Sequence, residues 1–147
     1  MSCPYCTSDL SKVVDKRGVS GRGEIRRRRE CLKCGKRYTT YERLAELQIM
    51  VIKKDGRREH FIEEKLKLGI LKALEKRPAI DKIQSIVERV EGKIRAKGLK
   101  EVPSQVLGKW ILSELKRLDS VAYLRFASVY RTFSDTKDFK RELEALS

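Results

Sequence analysis

Long apolar runs are missing from this chain: the longest, Ile49 to Ile52, has four residues, where a membrane-spanning helix needs about 20. The opening Met-Ser-Cys-Pro-Tyr-Cys has no basic stretch followed by an apolar core, so it does not read as a secretory signal, and no lipidation signal accompanies it. The expected location is the cytoplasm, without a membrane partner. Histidine is almost absent. The single one, His60, falls near a turn, where a lone imidazole is ordinarily solvated, and it is given no role. No Gly-x-x-x-x-Gly-Lys-Ser/Thr sequence occurs, and Gly18-Val19-Ser20-Gly21-Arg22-Gly23 lacks both the spacing and the lysine, which argues against P-loop hydrolysis. Paired carboxylates, a nucleophile with its base and an open metal position are also missing, so the chain is not expected to be an enzyme.

What is abundant is positive charge. Thirty-five Lys and Arg stand against 21 Asp and Glu, a net of +14 over 147 residues, which makes polyanions the default partners. With 40% hydrophobic residues at regular spacings the chain should fold. Its length allows one small metal-stapled domain plus a second of about 100 residues.

All four cysteines precede residue 35, as Cys3-Pro4-Tyr5-Cys6 and Cys31-Leu32-Lys33-Cys34. In a reducing compartment grouped cysteines are metal ligands more often than disulfides. A two-residue spacer lets a tight turn aim two thiolates at one tetrahedral ion, and two such turns complete a closed shell with no position left for catalysis. The 24 residues between the pairs exceed the usual spacing of about 15 to 20, which predicts a longer hairpin between them. A thioredoxin-like redox pair is the rival reading, but it needs one pair in a βαβ setting. The ion is read as a single structural zinc, with iron the alternative.

Between the pairs, Lys12–Lys16 reads as a strand, Gly18–Gly23 as a loop, Glu24–Glu30 as the returning strand, and Arg37–Tyr41 as a third. From Lys12 to Arg37 there are 11 basic residues and three acidic ones, a net of +8. On a strand Arg26 and Arg28 face one way while Arg27 and Arg29 face the other, so at least one pair is exposed. So small a domain has little core in which to hide a guanidinium, and burying an unpaired charge is costly. With Arg17, Arg22 and Arg37 alongside, phosphate contact is the natural use. The plainer alternative is a charged edge that prevents strand-to-strand aggregation.

Beyond a connector at Arg43–Gln48 the chemistry changes. A strand at Ile49–Lys53 turns at Asp55-Gly56, and Arg58–Phe61 is the candidate return strand. Four helices follow by periodicity: Ile62, Leu66, Ile70 and Leu74; Ile80 through Ile94; Val106, Trp110 and Ile111; Ala122, Phe126, Val129 and Phe133. Pro78, Gly98, Pro103 and Asp119 mark their ends. The stretch from Asp138 onward has weak helical character and reads as a mobile tail. The expected divisions are 1–45, 46–136 and a tail at 137–147, and the fold class is α+β, a small β zinc ribbon followed by a mainly helical domain with a β-hairpin. Lys53-Lys54-Asp55-Gly56 could hold phosphates on lysines and turn N–H groups, although many plain hairpins carry it. Tyr123, Ala127 and Tyr130 share a helix face that fits base stacking and core packing equally well.

Read together, Cys3-Pro4-x-Cys6, Ile25 to Cys31 with Cys34, Arg37-Tyr38-Thr39-Thr40-Tyr41-Glu42, Val51-x-Lys53-Lys54-Asp55-Gly56 and Tyr123-x-Arg125-Phe126-Ala127-Ser128-Val129-Tyr130 resemble, almost end to end, the NrdR family of bacterial ribonucleotide-reductase repressors, a zinc ribbon joined to an ATP-cone. The resemblance implies a homo-oligomeric repressor, cytoplasmic and nucleoid-associated. It would grip double-stranded DNA at promoter operator boxes and respond to ATP and dATP. It places Lys53, Lys54, Gly56 and Lys65 near phosphates and Tyr123 and Tyr130 near the base, with Val51 and Ala127 beside them. The chain departs from the pattern at Lys54, where arginine is common and a bidentate fork is lost, and at Tyr38, where phenylalanine is common. From composition alone, an RNA-binding or ribosome-associated zinc ribbon with a helical interaction domain remains the alternative.

Overall fold

A computed structural model describes residues 1–20 and 23–146, which divide into two units, Met1–Glu46 and Leu47–Ser147. In the first, β1 (Ser11–Val19), β2 (Glu24–Cys31) and β3 (Arg37–Glu42) form an antiparallel sheet in the order β1-β2-β3. A bulge between Val13 and Asp15 interrupts the β1–β2 register. Strand β1 runs past Lys16: Gly18 and Val19, expected in the loop, pair with Ile25 and Glu24. Ladder partners on β2 here override glycine's weak strand preference. Among the described residues of this unit, the buried apolar ones are few, namely Cys3, Cys31 and Tyr38. The Tyr38 hydroxyl is buried without a hydrogen-bond partner among the described residues, a cost that phenylalanine at this position would not carry.

The second unit opens with β4 (Met50–Ile52) and β5 (Arg58–His60), an antiparallel hairpin. It is not the whole sheet. A third strand, β6 (Glu101–Pro103), lies parallel to β4, giving the order β5-β4-β6. Three residues are too few to show alternation; Pro103 ends this strand, on an edge where proline is tolerated, and also opens the helix that begins at Ser104, as its N-cap, as expected. A parallel neighbour requires a long crossover, here supplied by α1 (Glu63–Leu74) and α2 (Ile83–Ala96), separated by a 3₁₀ turn at Pro78–Lys82. Helices α3 (Ser104–Leu118), α4 (Ser120–Tyr130) and α5 (Thr136–Leu146) complete the fold. Their apolar stripes meet in one core that includes Ile70, Leu74, Ile86, Val90, Val102 and Leu115.

Local chemistry explains the helix ends. Gly98 takes φ +60° just past α2, a conformation that glycine adopts without strain. Asp119 caps α4 by accepting hydrogen bonds from the N–H groups of Val121 and Ala122, both at 3.0 Å, and its other oxygen meets Arg77 at 2.8 Å. Burial opposes the charge on Asp119, but Arg77 and the two N–H groups outweigh it and hold the carboxyl below its ordinary range.

The stretch read as a tail is α5, tied to α4 through its Glu142. That carboxylate accepts from Arg131 Nη1 at 2.9 and 2.7 Å and from the Tyr123 hydroxyl, while Phe139 packs edge-on against Phe133 with centroids 4.9 Å apart. Its stripe of Phe139, Leu143 and Leu146 is diluted by charge, which is why periodicity understated it. Among the described residues no helix is long and apolar enough to cross a membrane.

Candidate functional site

The two cysteine pairs build the same turn twice. Thr7 N–H donates to the Cys3 carbonyl at 2.9 Å and Gly35 N–H to the Cys31 carbonyl at 3.0 Å. Thr7 and Gly35 follow the second cysteine of each pair in the left-handed region, at φ +61° and +71°. In each turn a backbone N–H points at the first sulfur, from Tyr5 to Cys3 and from Lys33 to Cys31, both at 3.4 Å. The Cys34 N–H, against the opposing effect of burial, helps pull the Cys31 thiol down to about 6. Against a backbone contact from Ser8, burial and the neighbouring cysteines push the Cys6 thiol up to about 11. Sulfurs of Cys6 and Cys31 are 3.6 Å apart, those of Cys3 and Cys34 3.8 Å, and all four lie within 4.8 Å of one another. A tetrahedron with metal–sulfur bonds of about 2.3 Å has edges of about 3.8 Å. The four thiols therefore fit one structural zinc, with no ligand position to spare.

Ladder register sorts the arginines. Arg28 stands opposite Asp15 and Thr39, Arg26 opposite Arg17 and Tyr41, and Glu30 opposite Lys12 and Arg37. Residues opposed in this way share a face, so Lys12, Arg17, Arg26, Arg28 and Arg37 stand together against three carboxylates, Asp15, Glu24 and Glu30. Glu30 draws Arg37 to 2.9 Å and Lys12 to 3.2 Å; Asp15 draws Arg17 to 3.1 Å but Arg26 only to 3.9 Å. Arg28 is steadied by the Thr39 hydroxyl at 2.9 Å. Arg27 and Arg29 occupy the other face, with the buried Tyr38. There Arg27 is paired to Glu42, and Arg29 donates to Thr40 Oγ1 at 3.1 Å and Ser11 Oγ at 3.5 Å. Arg22 lies outside the described residues.

A cavity of about 480 Å³ opens in the second unit, within the usual range for small-molecule sites. Val51, Lys53 and Lys54 line one wall and Lys65 of α1 another; Leu107, Gly108 and Ile111 of α3 and Phe126 and Tyr130 of α4 supply an apolar end. Lys53 and Lys65 approach the same oxygen of Glu59, at 3.7 and 3.6 Å. Lys54 donates to the Tyr130 carbonyl at 3.2 Å and sits 5.7 Å from that ring's centroid. The Tyr130 ring stacks on Phe126 with centroids 6.0 Å apart, and its hydroxyl donates to the Gln105 carbonyl.

Of the residues expected at such a site, Val51, Lys53, Lys54, Lys65 and Tyr130 line the cavity; Gly56, Tyr123 and Ala127 do not. Gly56 shapes the turn instead, at φ +84° with its N–H on the Lys53 carbonyl. Tyr123 is two turns from Tyr130, about 10 Å along the helix, and is buried against Glu142 of α5. Ala127 is buried in the core. Lining residues that the motif reading passed over include Phe126, Arg57, Glu59, Ile62, Gly108 and His60. Phe126 was open to discovery, four residues before Tyr130 on one helix. The others depend on tertiary packing.

Residues 1–42 match the family model described as transcriptional repressor NrdR-like, N-terminal domain, and residues 49–136 match the ATP cone domain. Along its length the chain is 53% identical to the transcriptional repressor NrdR of Geotalea uraniireducens, covering 99% of this chain and 98% of that one. It is 52% identical to the same repressor in Thermomicrobium roseum, covering 99% and 91%, and 52% identical to that of Geobacter sulfurreducens, covering 99% and 98%. The chain belongs to the NrdR family of transcriptional repressors. An NrdR protein is a regulator rather than a catalyst, which agrees with a closed metal shell. In this NrdR chain the metal-binding ribbon and the cavity-bearing cone fall in the two separately matched segments.

Proposed function

We propose that this NrdR protein represses ribonucleotide reductase genes in the cytoplasm by gripping paired operator boxes in double-stranded DNA with its zinc ribbons, residues 1–45. ATP or dATP in the cone, residues 46–136, sets how copies of the chain associate and so how many ribbons engage at once. The observation that carries this reading is the joining, in one chain, of a basic face of five cations to a cavity that ends in lysines on one side and an aromatic pair on the other. One ribbon neutralising about five phosphates binds weakly and loses affinity steeply with salt. A second ribbon on the same assembly adds roughly 10²-fold by effective concentration. DNA must in turn change nucleotide affinity by the same factor.

Titrating a promoter duplex with protein alone, with ATP and with dATP tests the coupling: the three affinities differ, and three equal affinities would sink the mechanism. A duplex that binds no better than structured RNA would favour the ribosomal alternative.

The face division adds a sharper expectation. Arg26→Ala/Arg28→Ala lowers duplex affinity about 30-fold or more and flattens the salt dependence by about two charges. Arg27→Ala/Arg29→Ala removes guanidiniums already committed to Glu42 and Thr40 and acts mainly on ribbon stability. Equal salt slopes for the two double variants would overturn the assignment of the Arg26 face to DNA.

A further inference from the structure

The lysines at the polar end of the cavity are not free cations. Lys53 leaves the end of β4 and Lys65 rises from α1, yet both ammonium groups turn to one carboxylate oxygen of Glu59, at 3.7 and 3.6 Å. Glu59 is the middle residue of β5, opposite Val51, which also lines the cavity. Its neighbour Arg58 pairs elsewhere, with Glu101 at 2.9 Å, and does not line the cavity. Pairs this open to solvent contribute little to stability, and two lysines from different elements need no common acceptor in order to fold. Their meeting point is where an oxygen able to use both of them would sit.

We propose that Glu59 is a built-in occupant of the phosphate cradle, holding Lys53 and Lys65 when no ligand is bound and opposing each phosphate that comes to take them. This rests on the reading of the cavity as a nucleotide site and names the residue that limits its affinity. An arriving phosphate must draw both lysines off the carboxylate and then remain beside its negative charge. At a separation of about 4 Å, between side chains this open to solvent and so in a nearly aqueous dielectric, that opposition is worth about a factor of ten in affinity. It keeps occupancy responsive to nucleotide concentration instead of saturated.

The test is calorimetric titration of the full chain and of its Glu59→Gln and Glu59→Ala variants, in metal-free buffer, with three probes: ATP, inorganic tripolyphosphate and adenosine. Glu59→Gln is expected to bind ATP and tripolyphosphate about tenfold tighter than the parent, Glu59→Ala to move in the same direction, and adenosine, which has no phosphate, to be unchanged. Equal or weaker ATP binding by both variants, with the parent still binding, overturns the role of Glu59 and leaves the nucleotide reading standing. A gain seen equally for adenosine also overturns it, since the effect would then not act on phosphate. If neither parent nor variants bind ATP, the nucleotide reading fails, and the proposal with it.

Discussion

Replacing Cys31 with serine unfolds the ribbon and removes duplex binding, by at least 100-fold, while the thermal transition of the cone persists. Among the described residues of the first unit, the buried apolar set consists of Cys3, Cys31 and Tyr38, too little to offset the entropy of ordering about forty residues. A four-thiolate zinc site supplies roughly 10 to 16 kcal/mol of apparent binding free energy, which is folding free energy in such a domain. Serine gives up a thiolate and with it most of that contribution. The same result is expected for Cys34→Ser, although Cys34 is exposed and Cys31 buried, because ligation and not burial carries the effect. The checks are bound-metal content, the strand signal in circular dichroism and duplex titration. A strong chelator acting on the unaltered chain should reproduce all three losses. Intact duplex affinity in a metal-stripped sample would refute the structural role.

Gly108→Ala should destabilise the cone by about 1–3 kcal/mol and weaken nucleotide binding about tenfold or more, against the usual direction of such a change. Gly108 lies inside α3, where alanine ordinarily gains about 1 kcal/mol in helix propensity. Here a Cβ would fall 2.1 Å from the Tyr130 ring. That ring has little room to retreat, since it stacks on Phe126, its hydroxyl reaches Gln105, and Lys54 sits over its face. The tyrosine must swing away, taking with it the aromatic end of the cavity and the seat of Lys54. Denaturant unfolding reads the stability and calorimetry the affinity. The double variant Gly108→Ala/Tyr130→Ala should show a strong favourable coupling, because removing the ring removes the clash. A Gly108→Ala protein stabilised by the propensity amount, with unaltered nucleotide affinity, would contradict this account.

The parts legible in the sequence are those encoded by neighbours in the chain. Two Cys-x-x-Cys pairs imply one tetrahedral site, and the four sulfurs do converge. Asp119 before an apolar stripe implies a cap, and it caps α4. The parts that were not legible depend on partners far along the chain. Glu101-Val102-Pro103 is a strand only because β4 lies beside it. Gly108 looks like a weak point in a helix until Tyr130 is seen against it, and Glu59 is one acidic residue among 21 until Lys53 and Lys65 turn to it. Tyr123 and Tyr130 share a helix stripe but not a surrounding, because α5 covers one of them.

The pairing of Val51 with Val102 sets an order of events during synthesis. The ribbon's three strands and four cysteines are all present once residue 42 has cleared the ribosome, and its contacts are local, so it closes early. Strand β4 must wait for β6, and the cavity waits longer still, for Phe126 and Tyr130 on α4. Each newly made chain therefore passes through an interval in which the ribbon is complete and the cone is not.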